Sequence, residues 1–157
     1  MIRKLADKVT RAFTGPGAEK TAQSGRDHAI RLATAVLMTE VARVDYDYDE
    51  VEFESLIELI GRAFHLPAEE AADLANAAGE TAEEYVSLHS FTQLLNKSLS
   101  ESDKERVVSL LWQVAFADGR LDKYEDWLVL KIADLLYVNR SRVMLLKHDA
   151  NPNPGDH

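Results

Sequence analysis

Cysteine is absent from the 157-residue sequence, so disulfides and thiolate metal ligands are both excluded. That composition suits a reducing, cytoplasmic setting. Long hydrophobic runs are also missing, and no stretch approaches the ~20 apolar residues needed to cross a membrane as a helix. The opening Met-Ile-Arg-Lys-Leu-Ala-Asp-Lys has no hydrophobic core segment of the kind a secretory signal carries. There is no Gly-rich phosphate loop and no Gly-x-Ser-x-Gly, which removes two common enzyme classes. None of His28, His65, His89 or His148 follows a glutamate by three residues, as a di-iron carboxylate bundle requires. Period-two alternation is too weak anywhere to mark a strand.

Positive charge is scarce, with 18 Lys/Arg against 27 Asp/Glu and a net charge of −9. It is also uneven. Residues 1–31 hold seven Lys/Arg and three Asp/Glu, whereas residues 40–84 set fourteen acids against Arg43 and Arg62 alone. A nucleic-acid binder needs a basic face to neutralise phosphates, so nucleic acid is not expected as a partner.

Hydrophobic residues make up 46% of the chain, enough for one domain with a proper core. Their spacing is helical throughout. Ile2, Leu5, Ala6, Val9 and Phe13 share a face ringed by Arg3, Lys4, Lys8 and Arg11. Such a segment can touch an anionic membrane or an acidic partner; packing on the domain's own core is the favoured reading. Thr14-Gly-Pro-Gly17 breaks it, and the stretch to Gly25 reads as a flexible linker. Ile30, Ala33, Leu37, Val41 and Val44 then mark a long helix from about Arg26. Val51, Phe53, Leu56, Ile57, Ile60 and Phe64 form the inward face of the next, ending near His65. Pro67 opens a short helix that Gly79 closes. Ser87–Leu99 carries another. Ser102-Asp-Lys-Glu105 has the capping-box pattern and starts a helix that ends at Asp118. Asp122–Val138 follows, with Tyr124, Trp127, Leu128, Ile132, Leu135 and Leu136 inward; core or partial-core packing is expected for both Trp112 and Trp127. Asn139 caps a last helix through Leu146, and the polar end from Asp149 reads as disordered. The expectation is an all-α, multihelical bundle: an added N-terminal amphipathic helix and linker over 1–25, a domain over 26–148, and a tail over 149–157.

The chain is organised around Leu110-Leu-Trp-Gln-Val-Ala-Phe-Ala-Asp-Gly-Arg-Leu-Asp-Lys-Tyr-Glu125, which reads helix, tight turn, helix. Its Ala115, Asp118, Asp122 and Glu125 repeat the spacing of Ala42, Asp45, Asp49 and Glu52, with Val41 matching Val114, Leu59 matching Ile132 and Phe64 matching Tyr137. Two pseudo-repeats, about 30–75 and 103–147, follow from this. Part of each acidic turn has a structural explanation. Asp49 and Asp122 suit N-caps with Glu52 and Glu125 at the third helical position, and Gly119 suits a left-handed helix end. Asp45 and Asp118 do not fit so easily, because a carboxylate at a helix C-terminus faces the negative end of the helix dipole. Oxygen ligands gathered this way suit Ca²⁺, Mg²⁺ or Mn²⁺. Asp45-x-Asp47-x-Asp49 imitates an EF-hand opening, but Glu50 replaces the required Gly and Leu56 the bidentate Glu.

Val114-Ala-x-Ala-Asp-Gly-x-Leu-Asp-x-x-Glu125 resembles the signature of the TerB-like family of bacterial tellurite-resistance proteins. The first copy departs from it, with Tyr46 where Gly is usual. The resemblance implies an all-helical cytoplasmic domain tied to stress and tellurite-resistance systems, with acidic residues that bind a divalent metal; it implies no reaction. Three functions follow as expectations. The first is a non-enzymatic module holding a divalent cation through Asp45, Asp49, Glu52, Asp118, Asp122 and Glu125 while docking a protein partner. The second is a metal-free adaptor using its acidic face. The third is a metal-dependent hydrolase built on the same carboxylates.

Overall fold

The computed structural model describes residues 18–44, 50–84, 88–117, 119 and 121–152, with side chains described from residue 27 onward except at 83 and 84. These residues form seven helices and no strand. The all-α expectation holds. The segment 2–13, the turn 45–49 and the tail from 153 lie outside the described residues.

Helix α1 (Ala18–Arg43) is the axis of the molecule. From Ala33 to Met38 every side chain is at most 1% exposed, so this part of the helix is covered on all sides and not along one stripe. Its two buried hydroxyls are satisfied within the helix: Thr34 donates to the Ile30 carbonyl and Thr39 to the Ala35 carbonyl, each at 2.8 Å. α2 (Glu50–Phe64), α3 (Ala68–Glu84), α4 (Leu88–Ser98), α5 (Glu101–Ala115) and α6 (Lys123–Leu135) all pack on it. α7 (Arg140–Ala150) packs on α5 and α6. The duplication therefore extends to three helices, with α1–α2–α3 matching α5–α6–α7 and α4 joining them.

Both copies turn the same corner after their second helix. His65 (φ 55°) and Tyr137 (φ 59°) are left-handed, and the next residue reaches back five places, Leu66 N–H to the Gly61 carbonyl at 3.0 Å and Val138 N–H to the Ala133 carbonyl at 3.1 Å. This is the bond pattern of a Schellman cap, closed here without glycine. The equivalence slips by one residue at this corner: Tyr137 occupies the place of His65, not of Phe64, because α2 runs one residue further before capping.

Several boundaries differ from the sequence reading. α1 begins at Ala18, so Ala18–Gly25 is helix and not linker; Ala18, Glu19, Lys20, Ala22 and Gln23 are all good helix formers. α3 runs through Gly79 to Glu84, since Ala78, Thr81 and Ala82 stay buried and that packing outweighs the ~1 kcal/mol penalty of a helical Gly. α5 is capped by Ser100, whose Oγ accepts from the Asp103 N–H at 3.2 Å; it is not capped by Ser102. It ends at Ala115, before Asp118. α7 reaches Ala150, because Ala150 still packs on the core.

Three inward assignments are also corrected. The buried stripe of α6 is Glu125, Leu128, Val129, Ile132 and Ala133, a rotation of about one residue (100°) from the expected face. Tyr124 and Trp127 are consequently 53% and 56% exposed. Lys131, one turn beyond Trp127, keeps its ammonium 4.9 Å from the indole; a solvated cation on that face marks it as outward. Val51, the counterpart of Tyr124 in α2, is 69% exposed. Trp112 follows the expectation and is fully buried, its Nε1–H donating to the Val143 carbonyl at 3.2 Å.

Candidate functional site

Asp122 is the N-cap of α6: its Oδ1 accepts from the Tyr124 N–H at 2.7 Å. The cap fixes the first turn, and the third residue of that turn, Glu125, points inward and is buried. Glu52 occupies the same place in the first turn of α2 and is half-buried. The electrostatics favour acids at both positions, because a helix N-terminus carries the positive end of its dipole. Neither glutamate is without an interaction partner.

These two glutamates line one pocket of about 120 Å³ with Ala42, Ser55, Leu56, Leu59, Val114 and Ala117. Ala42 belongs to the last turn of α1 and Ala117 follows the end of α5, so the described residues flanking the two turns meet in one place. Small side chains at these two helix ends leave the room. Residues 31–148 match the family described as Tellurite resistance protein TerB. The chain belongs to the TerB family. Comparison with curated proteins and with solved structures finds no match.

The TerB match begins within α1 and ends within α7, so it takes in both repeats and the whole of this pocket. Of the six carboxylates singled out in the sequence, Glu52 and Glu125 are brought together. Asp122 is placed at the adjoining cap, its carboxylate already used by the Tyr124 amide. Asp45, Asp49 and Asp118 lie outside the described residues. Gly119, between the two helices, has φ 85°, the left-handed backbone expected of it. The described donors are all oxygens, the chemistry that hard divalent cations prefer. Among the described residues, however, no group of three or more His, Cys, Asp or Glu could hold a metal ion. Any full coordination shell would have to draw on the aspartates of the turns.

Burial raises the pKa of Glu40, on α1 two residues before Ala42, above the usual carboxylate value, opposed in part by Arg43. Ser55 and the apolar walls of the pocket carry no signal in the acidic motif. They come into view only when α2 and α5 are seen to pack together.

Proposed function

We propose that this TerB-family chain is a non-enzymatic, tellurite-resistance-associated module that holds one divalent cation between its two acidic turns. The observation that supports this reading most is the sharing of one pocket by the repeat-equivalent Glu52 and Glu125. Asp45, Asp49, Asp118 and Asp122 would complete a set of oxygen ligands, and Ca²⁺, Mg²⁺ or Mn²⁺ would neutralise charge that the two turns otherwise set against itself. The cation would stiffen the junction of the repeats, and the acidic surface beside it would dock a protein partner in the cytoplasm.

The test is a thermal melt of metal-stripped protein titrated with Ca²⁺, Mg²⁺, Mn²⁺ and Zn²⁺, repeated for Asp45→Asn/Asp118→Asn and Glu52→Gln/Glu125→Gln. A cation at a hundredfold excess over its Kd stabilises by ~2.7 kcal/mol, roughly 5–10 °C for a chain of this size. A selective rise lost in both variants supports the reading. A flat response in the parent protein overturns it.

A metal-free adaptor is the second reading. It is favoured by the exposed Glu50, Glu54 and Glu58, spaced four apart along α2, beside the exposed Glu69, Glu70, Asp73 and Glu80 of α3. It predicts binding to a basic partner that weakens steeply with salt.

A further inference from the structure

The repeat symmetry breaks at a second place, away from the acidic turns. In the second copy, Lys104 of α5 folds back into the corner after α6: it is only 7% exposed, its ammonium lies 5.9 Å from the Tyr137 ring centroid, and it stands 3.8 Å from Glu101. Its counterpart in the first copy is Arg31, and the counterpart of Tyr137 is His65. There the notch is open. Arg31 and His65 line a pocket of about 340 Å³ with Ile30, Phe64, Leu99 and Leu110, a size within the range of small-molecule sites.

The charges of this pocket are unspent. Arg31 is in no ion pair or hydrogen bond among the described residues. Arg106 uses one Nη2–H on the Ala63 carbonyl at 2.9 Å, which anchors the guanidinium at the wall. Asp27 and Asp103 line the same pocket, yet neither forms an ion pair with either arginine. Two guanidiniums and two carboxylates therefore stand around apolar walls with their mutual pairing unmade. An occupant bearing only one sign of charge would leave half of this set facing its own kind. One that carries both a carboxylate and an ammonium on an apolar body answers it charge for charge.

We propose that the notch between α1, the end of α2 and α5 binds a small zwitterion, an α-amino acid with an apolar side chain. Its carboxylate is taken by Arg31 and Arg106, its ammonium by Asp27 and Asp103, and its side chain by Ile30, Phe64, Leu99 and Leu110. In the second copy the buried Lys104 occupies the equivalent corner, with the exposed Tyr137 ring beside its ammonium.

Titration calorimetry of the full chain with L-leucine and L-phenylalanine tests the proposal, beside 4-methylpentanoate, which lacks the ammonium, and isoamylamine, which lacks the carboxylate. The expected result is binding of the amino acids at least about tenfold tighter than either single-charge analogue, the scale of one charged hydrogen bond. Arg31→Gln should remove it with little change in melting temperature, since Arg31 forms no ion pair or hydrogen bond among the described residues. Arg31→Lys/His65→Tyr should rebuild the closed corner of the second copy and also abolish binding; Tyr137 shows that tyrosine is accepted at such a backbone angle. Equal binding of 4-methylpentanoate, or amino-acid binding that survives both variants, would overturn the proposal, as would no binding at millimolar ligand.

Discussion

Two tryptophans with similar helical surroundings in the sequence have opposite fates in the fold. Trp112 is fully enclosed, its N–H satisfied by Val143 and its face covered by the Lys147 ammonium at 5.3 Å. Truncating it opens a large cavity and strands a carbonyl, so Trp112→Ala should lose about 3–5 kcal/mol in urea unfolding. Trp127→Ala, at a 56% exposed position, should stay within about 1 kcal/mol of the parent. Periodicity alone could not separate them, because a one-residue rotation of α6 exchanges Trp127 for Val129. Glu40 makes a second prediction at this scale. Its folded pKa is raised by burial, so the native state binds its proton more tightly than the unfolded chain does. Stability contributed by the protonated form is lost as pH rises from the unfolded value through the folded one. Glu40→Gln should therefore gain stability over the parent at neutral pH, with the difference vanishing below pH 4; paired melts across pH 3–7 would show it.

At the scale of elements, caps and turns were the most legible features where a side chain acts on its own neighbours. Asp122 and Asn139 cap as their positions suggest, accepting from Tyr124 N–H at 2.7 Å and Ser141 N–H at 2.9 Å. Gly119 takes the left-handed backbone of its turn. Helix ends governed by tertiary packing were not legible: nothing near Gly79 announces that Ala82 is buried against the core. The cap and the proposed cation site can be told apart at Asp122. Asn caps a helix as well as Asp does, so Asp122→Asn should keep the melting temperature of metal-free protein while weakening any response to cations. Asp122→Ala should lose about 1 kcal/mol even without metal. If Asp122→Asn were as destabilising as Asp122→Ala in metal-free protein, the charge itself would be structural.

For the whole molecule, the internal repeat was the strongest signal in the sequence, and it correctly gave an all-helical duplication. It did not reveal how the copies meet. That depends on α1 lying against α5 and α6 as well as against its own partners, a long-range arrangement no local motif encodes. The pocket at Glu52 and Glu125 and the notch at Arg31 both arise from that packing, each drawing residues from distant parts of the chain. The copies therefore complete one core between them. A fragment of residues 88–152, although it holds all of the second copy, should show no cooperative melt as a monomer by circular dichroism. A sharp transition at low concentration would show that the copy folds alone.

Equivalent carboxylates facing a common pocket are what a symmetric dimer presents across its two-fold axis, where each residue of one subunit meets its twin's surroundings. In a dimer of identical chains every substitution is made twice, so the two sides of the axis change in step. Joining the copies in one chain removes that constraint. The corner holding Lys104 and Tyr137 could close while the one holding Arg31 and His65 stayed open, and a single gene could keep a shared centre while giving each half its own errand.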